Sequence, residues 1–164
     1  HDAPDGQAWA TVVGDDPAVA AALIDRLARL LGWDTCVALA LADVEAQLPT
    51  SDAVAVLAHH EELDGPALQA ALASSVRYIG AMGSRRTQER RAAWLAQQGV
   101  TDLSRIHGPA GLDIGADGPE EIALSIMAEV IAVRRGVANP TSLRGRTTPL
   151  HPDLAAGEAY CPGG

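Results

Sequence analysis

The segment from Gly80 to Arg86 has the residue types of a phosphate-binding turn. It places glycines at positions 80 and 83, a serine that can cap the following helix at position 84, and arginines at positions 85 and 86. Glycines permit a sharp turn that exposes backbone N–H groups, and guanidinium groups bind phosphate in a bidentate manner. The sequence therefore predicts a phosphate site formed by Gly80, Gly83, Ser84, Arg85 and Arg86. The alternative is a tight turn followed by solvated arginines.

The distribution of charge favours a local anion site over an extended one. The 164-residue chain contains 12 arginines, no lysine and 21 acidic residues, so its formal net charge is −9. Residues 77–91 reverse this balance, because they hold five arginines against one glutamate, for a charge of +4. A chain that is acidic elsewhere has no diffuse positive field to attract polyanions. Binding to nucleic acid or to an acidic membrane surface is therefore not expected.

The loop after the first predicted strand, Gly14–Pro17, occupies the place where nicotinamide enzymes bind a pyrophosphate. Such enzymes use the pattern G-x-G-x-x-G there, and only Gly14 fits it, since Asp16 and Val19 replace the second and third glycines. The carboxylates of Asp15 and Asp16 would repel a pyrophosphate. Gly14 is kept as a candidate binding residue, but the sequence does not favour NAD(P) as the cofactor. An NAD(P)-dependent oxidoreductase stays open as an alternative, although only the strand–helix pattern supports it.

Several further polar residues are weaker candidates. His59 and His60 follow the third predicted strand and could form a polar cluster with Asp64, although histidines at strand ends are more often hydrogen-bonded scaffolding. Asp113, in a segment bounded by glycines, could line the same crevice or only fix a turn. No spacing of cysteine or histidine predicts a metal site, and no convincing nucleophile or acid–base pair is present. A polar line on the last predicted helix indicates a solvated edge or an interface seam: Glu121, Ser125 and Glu129.

These residues belong to a chain in which short apolar runs alternate with helical patterns. Such alternation predicts parallel strands joined by crossover helices, which is an α/β class: a three-layer Rossmann-like fold with a mostly parallel, doubly wound sheet. The predicted strands are Ala8–Val13, Thr35–Leu39, Ala53–Leu57 and Arg77–Gly80. The predicted helices are Pro17–Leu31, a short helix ending at Pro49, Pro66–Ala73, Ser84–Gln98 and Pro119–Arg135.

The same pattern divides the chain into three parts. Residues 1–7 are expected to be a flexible N-terminus, residues 8–136 the Rossmann-like domain, and residues 137–164 an irregular C-terminal tail. We expect the strand order 3-2-1-4-5, which would make strands one and four neighbours and bring both candidate turns to one crevice. No apolar run is long enough to span a membrane, and no charged-then-apolar stretch resembles a signal peptide, so we expect neither a membrane span nor a signal peptide. The expected location is the cytoplasm.

Three segments carry a resemblance to a known family. Residues 78–87 read YIGAMGSRRT, residues 105–116 read RIHGPAGLDIGA, and residues 119–129 read PEEIALSIMAE. In this order they closely resemble the Rossmann domain of the xanthine dehydrogenase accessory factor family, also called XdhC/CoxI. The resemblance covers roughly residues 53–136 and, more weakly, residues 9–52. Members often have an aspartate where His60 stands, and a first turn richer in glycine.

The resemblance implies a role in enzyme maturation rather than turnover. Members of the family are taken to bind the molybdenum cofactor, to assist its sulfuration by a cysteine desulfurase, and to deliver it to enzymes such as xanthine or carbon monoxide dehydrogenase. Since molybdopterin carries a phosphate, the resemblance places its anchor at the Gly83–Arg86 turn. The implied partners are a molybdenum hydroxylase apoenzyme and a cysteine desulfurase. Independently of the resemblance, a second copy of the chain is a further candidate partner. A non-catalytic interaction domain with a vestigial nucleotide crevice is the other alternative.

The family's Rossmann domain usually follows an N-terminal domain that bears a functional cysteine. The residues ahead of the predicted strand at Ala8 are too few to hold that domain, so we expect the chain to be either a fragment or a stand-alone partner.

Overall fold

A computed structural model describes residues 8–12, 19–57, 60–148 and 150, and the side chains of residues 21–57, 60–148 and 150. Within this part of the chain, the strands are β1 (Ala8–Val12), β2 (Asp34–Ala38), β3 (Ser51–Val56), β4 (Tyr78–Ala81) and β5 (Ile106–His107). The helices are α1 (Val19–Leu30), α2 (Leu41–Gln47), α3 (Glu61–Leu72), α4 (Arg85–Gln97) and α5 (Gly118–Arg134). Two short 3-10 helices, Leu48–Thr50 and Leu143–Gly145, complete the described elements.

The five strands form one parallel sheet in the order β2-β1-β3-β4-β5. The predicted α/β class with a parallel sheet is confirmed, but the predicted strand order 3-2-1-4-5 is wrong. Strand β3 lies between β1 and β4, so the first and fourth strands are not neighbours. The cause is that α1 and α2 pack on opposite faces of the sheet. Right-handed crossovers on opposite faces run in opposite directions, so the chain reverses after β2 and returns past β1.

The core has one hydrophobic cluster on each face of the sheet. One cluster joins α1 and α5 to alternate residues of β3, including Ala53 and Ala55. The other joins α2, α3 and α4 to the intervening residues, Val54 and Val56. Because successive side chains of a strand point to opposite faces, β3 is buried on both sides and reads as a continuous apolar run. The sheet is thus covered in three layers.

Most helix ends agree with the sequence. Gly32, Gly99 and Gly136 follow α1, α4 and α5 with positive φ values of 76°, 82° and 71°, as expected for residues that terminate a helix. The expected fifth strand was not placed on the sequence, because the two residues of β5 are too few for an alternating pattern.

Helix α3 begins at Glu61, five residues before its predicted start at Pro66. The N–H groups of Leu63 and Asp64 donate to the carbonyl of His60 at 3.1 and 2.8 Å, so the first helical turn is complete before the proline. Pro66 therefore lies inside the helix, where it removes a single backbone donor. The adjacent Gly65 is required by packing.

None of the helices in the described ranges is both long and apolar enough to cross a membrane. Residues 137–148 are exposed and include the Leu143–Gly145 turn. The proposed division into an N-terminal segment, a domain and a tail stays a prediction.

Candidate functional site

The candidate site lies at the carboxyl edge of the sheet, where α3, α4 and α5 begin after strands β3, β4 and β5. In a parallel sheet, the helices that follow strands start at this edge, and ligands of such folds bind there. Residues Met82–Ser84 connect β4 to α4. The predicted phosphate-binding residues are therefore divided between a buried strand and an exposed turn.

Gly80 lies in β4 and not in the turn. It is buried, it pairs with Ala55 of β3 and His107 of β5, and a Cβ at this position would lie 2.6 Å from Tyr78 Oη. The predicted role of Gly80 in bending the chain is wrong. Its hydrogen atom instead leaves room for the Tyr78 ring, which lies over the same face of the strand.

Gly83 and Ser84 form the turn itself. Gly83 has a φ of 135°, which side chains rarely permit. Ser84 Oγ accepts the Thr87 backbone N–H at 3.3 Å, so the predicted N-cap is confirmed. Gln88 Nε2 donates to the carbonyls of Ala81 and Gly83 at 2.8 and 3.3 Å. Side chains of α4 thus fix the turn by binding its carbonyl groups.

Arg91 completes this fixation from the interior. Its Nη1 donates to the Met82 carbonyl at 2.6 Å, and its Nη2 lies 2.6 Å from Asp64 Oδ2 of α3. The side chains of Arg91 and Asp64 are only 7% and 5% exposed. Removing one partner of such a buried pair strongly lowers the free energy of unfolding. Through its two contacts, Arg91 links α3 to the turn. Asp64 therefore binds an arginine that sequence reasoning had not assigned to it.

His59 and Gly14, two of the predicted binding residues, lie outside the described residues. His60 is the residue that precedes α3, where its backbone carbonyl accepts the first helical bonds. The proposed histidine cluster stays a prediction.

The exposed side of the turn presents hydrogen-bond donors. Ser84, Arg85 and Arg86 are exposed, and neither guanidinium of Arg85 or Arg86 forms a hydrogen bond or ion pair with a described residue. The backbone N–H groups of Arg85 and Arg86 likewise donate to no described group. At the N-terminus of a 13-residue helix, these amides carry the positive end of the helix dipole. The arrangement can bind an anion.

The neighbouring helix N-termini have the opposite charge. Helix α3 begins with Glu61 and Glu62, and helix α5 has Glu120 and Glu121 in its first turn. Glu121 Oε2 accepts the Asp117 backbone N–H at 2.7 Å. The Glu121 carboxylate satisfies a backbone N–H at the start of α5, and the acidic side chains offset the positive dipole end of both helices. Of the three helices that begin at this end of β3, β4 and β5, α4 alone is basic in its first turn.

A pocket of about 300 Å³ opens between α3 and α4, beside the turn. Thr87, whose N–H binds Ser84, forms part of its wall, as does the Asp64–Arg91 pair. The remaining wall residues of the pocket are Glu61, Gly65, Arg90, Ala93, Trp94 and Gln97. Sequence reasoning did not identify this pocket, because its walls come from two helices about 25 residues apart in the chain.

A second polar cluster joins β4 and β5 to α5. Glu129 Oε1 accepts hydrogen bonds from Tyr78 Oη at 2.8 Å and from the Gly111 N–H at 3.0 Å. His107 stacks on the Tyr78 ring, with centroids 4.9 Å apart, and its Nδ1 lies 3.7 Å from the same carboxylate oxygen. Burial, and then the Glu129 charge, raise the pKa of Tyr78, so the phenol remains a donor. The cluster fixes the loop after β5 against α5.

This cluster corrects the expectation of a solvated polar line on α5. Glu129 is only 13% exposed and Ser125 is buried, whereas Glu121 caps the helix start. A Cβ on Gly111 would lie 2.5 Å from Ser125 Oγ, so the loop is in close contact with the helix. The sequence does contain a signal for this burial, because Glu129 is the sole charged residue between positions 122 and 133 of an otherwise apolar helix.

Asp113 is exposed in the loop between β5 and α5, and it forms no hydrogen bond or ion pair with a described residue. Its assignment to the site stays a prediction. In the described ranges, no group of three or more histidine, cysteine, aspartate or glutamate residues is placed to hold a metal ion.

The chain is similar to proteins of one family. A family described as the XdhC Rossmann domain matches residues 11–130. A Bacillus subtilis protein, named as a probable subunit of xanthine dehydrogenase, is 37% identical over 94 residues, which cover 57% of this chain and 27% of that protein. The molybdenum cofactor insertion chaperone PaoD of Escherichia coli is 36% identical over 111 residues, covering 66% of this chain and 35% of PaoD. The chain thus spans about a quarter to a third of these relatives.

A solved structure has the same architecture. The crystal structure of a xanthine dehydrogenase from Bacillus halodurans aligns with a TM-score of 0.61 and 26% sequence identity. The alignment covers 78% of this chain and 43% of that chain. The Rossmann-like fold expected from the sequence is confirmed by this similarity.

Proposed function

Because the chain belongs to the XdhC Rossmann domain family, we propose that it serves the maturation of a molybdenum hydroxylase by binding a phosphorylated cofactor at the N-terminus of α4. The name of the relative PaoD, a molybdenum cofactor insertion chaperone, supports the maturation role. The proposed ligand is the molybdenum cofactor, whose pterin carries a phosphate that is sometimes extended by a nucleotide.

The observation that carries this proposal is a set of hydrogen-bond donors at the turn that bind no acceptor among the described residues. The guanidinium groups of Arg85 and Arg86 and the backbone N–H groups of the same residues all remain available within the described part of the chain. Two guanidinium groups and a helix N-terminus form a donor set suited to a phosphate dianion. The turn holds its shape without the ligand, because Gln88 and Arg91 bind its carbonyls. An anion therefore meets backbone N–H donors that are already in position.

The donor set fits the phosphate end of the cofactor. Ser84, Arg85 and Arg86 would hold that phosphate, and when bound the cofactor itself supplies the molybdenum. The acidic first turns of α3 and α5 repel a second anion from the same edge. The chain's contribution is thus to anchor one phosphate in a fixed position.

In this proposal the anchored cofactor is presented to two partners. A cysteine desulfurase sulfurates the cofactor, and a molybdenum hydroxylase apoenzyme of the xanthine or carbon monoxide dehydrogenase type receives it. Pairing of two copies of the chain is the third proposed contact. Co-purification of the chain with the apoenzyme, followed by measurement of its pterin content, tests the first two contacts together.

The binding proposal is tested by anaerobic calorimetric titration of the protein with molybdenum cofactor. Arg85→Ala/Arg86→Ala should weaken binding roughly 10- to 100-fold, because two charge-assisted contacts are lost. The matched control is Arg26→Ala/Arg135→Ala, which removes the same charge from exposed positions on α1 and at the end of α5. Equal affinity of both variants would refute the site. Titration with NADH in the same series tests the oxidoreductase alternative.

A further inference from the structure

We propose that the pocket between α3 and α4 binds the planar bicyclic ring of the phosphorylated ligand, with Trp94 as its stacking surface. This inference rests on the proposed function, because it assigns a place to the organic part of a ligand whose phosphate is held at Ser84–Arg86. The ring is a fused nitrogen heterocycle of the kind found in pterins and in purines.

The pocket is continuous with the phosphate-binding turn. Thr87 belongs to both, because its N–H binds Ser84 and its side chain forms part of the pocket wall. Arg91 also belongs to both, since it binds the Met82 carbonyl and lines the pocket. A Cβ on Gly83 would lie 3.0 Å from Thr87 Cγ2 and 3.3 Å from Arg91 Nη1. The backbone of the turn therefore touches the first residues of the pocket.

Trp94 is held in place by the residue opposite it on α3. A Cβ on Gly65 would lie 2.6 Å from Trp94 Cε3 and 2.9 Å from Cδ2, so only glycine allows the indole to approach α3 this closely. The ring is half-buried and remains part of the pocket wall. An aromatic ring immobilised in this way can stack on a flat ligand with little loss of side-chain entropy.

The charges around the pocket suit a heterocycle and not a hydrocarbon. Arg90 Nη1 lies 2.6 Å from Glu61 Oε1 across the two helices, and this pair is exposed. The Asp64–Arg91 pair lines the pocket as a second, buried pair. Pterins and guanine present N–H donors beside a carbonyl acceptor, which match the adjacent guanidinium and carboxylate of the exposed Arg90–Glu61 pair. A volume of about 300 Å³ lies at the lower end of the range for ligand pockets and suits one such ring.

The test compares phosphates with and without a fused nitrogen heterocycle. Ribose phosphate, guanosine monophosphate and neopterin monophosphate are titrated calorimetrically into the full chain. We expect both ring-bearing ligands to bind roughly 5- to 100-fold more tightly than ribose phosphate, as base stacking on an aromatic side chain implies. If guanosine monophosphate alone shows the gain, the ring is a purine, and if neopterin monophosphate alone shows it, the ring is a pterin.

A pair of variants locates the ring without disturbing the core. Ala93 and Ala96 are both exposed on α4, but only Ala93 lines the pocket. Ala93→Glu should abolish the gain from the ring, whereas Ala96→Glu, with the same charge and helix, should retain it. In addition, Trp9→Phe/Trp33→Phe leaves Trp94 as the sole tryptophan. Guanosine monophosphate should quench its fluorescence, and ribose phosphate should not.

Failures of the two proposals can be told apart. If all three phosphates bind with equal affinity, depend on Arg85 and Arg86, and leave Trp94 fluorescence unchanged, the pocket proposal is overturned and the phosphate site stands. If Arg85→Ala/Arg86→Ala has no effect on any of them, the phosphate site is overturned. Equal loss of ring binding in Ala93→Glu and Ala96→Glu would also overturn the pocket, because the effect would then be one of charge alone.

Discussion

The hydrogen bond between Tyr78 and Glu129 should contribute measurably to stability. It joins residues 51 positions apart in the chain, connects β4 to α5, and has a length of 2.8 Å. The Tyr78 side chain is fully buried, so removal of its hydroxyl leaves the Glu129 carboxylate, itself only 13% exposed, with one fewer donor. A hydrogen bond to a charged group contributes about 1.5–3 kcal/mol net. We therefore expect Tyr78→Phe to lower the free energy of unfolding by about 2 kcal/mol, roughly 30-fold in the folded-to-unfolded ratio.

Urea unfolding followed by far-ultraviolet circular dichroism measures this change. The midpoint should fall while the dependence on urea concentration stays constant, because the surface exposed on unfolding hardly changes. The control is Glu129→Gln, whose amide oxygen can still accept from Tyr78 and from the Gly111 N–H. Its loss should be smaller, about 1 kcal/mol, because the acceptor is then neutral.

The double variant Tyr78→Phe/Glu129→Gln supplies the decisive comparison. Contacting residues are expected to have non-additive effects, so the double variant should lose less than the sum of the single variants. If Tyr78→Phe changes stability by less than about 0.5 kcal/mol, or if the effects simply add, the assigned hydrogen bond does not support the fold.

Three further predictions concern stability. Gly65→Ala should cost about 1–3 kcal/mol by clashing with the α4 indole, whereas Gly145→Ala, where no atom lies within 4 Å, should change thermal stability little. Asp64→Asn should cost about 3 kcal/mol in urea unfolding, because the buried Arg91 loses its carboxylate; an unchanged midpoint would contradict the importance of the pair. Burial and the adjacent carboxylate raise the pKa of Tyr78 above its unfolded value of about 10, so the unfolded state ionises first and stability should fall as pH rises above about 10. In Tyr78→Phe, the slope of the free energy of unfolding against pH above about 10 should correspond to one proton fewer released on unfolding. An unchanged pH profile would refute the assignment.

The local pattern of the sequence was sufficient for most elements. The ends of the first and fourth helices and the N-cap at Ser84 depend on a few neighbouring residues. The predicted ends, Leu31 and Gln98, lie one residue beyond those of α1 and α4, and Ser84 caps α4 as predicted. Pro66 was misleading, because a proline usually marks the start of a helix. Here the first turn of α3 formed before it, and packing of the helix on the sheet outweighed one lost backbone bond.

Strand order required the tertiary structure. Each strand–helix–strand unit has the same local pattern whichever face its helix covers, so the reversal after β2 leaves no mark in the periodicity. The assumed order placed the fourth strand beside the first, whereas β3 separates them. The turn after β4 is consequently one strand further from the carboxyl end of β1 than the sequence suggested.

The sequence by itself determined the class of fold, the family resemblance and the basic turn, because each depends on residue type, periodicity or short spacing. The sequence left open whether Arg85 and Arg86 bind a phosphate or are only solvated. Only the tertiary structure decided what lies around them. It brought Asp64 to Arg91, Trp94 to Gly65 and Tyr78 to Glu129, pairs that are 27, 29 and 51 positions apart. Contacts between distant elements depend on how helices pack across the sheet, and no local pattern encodes that choice.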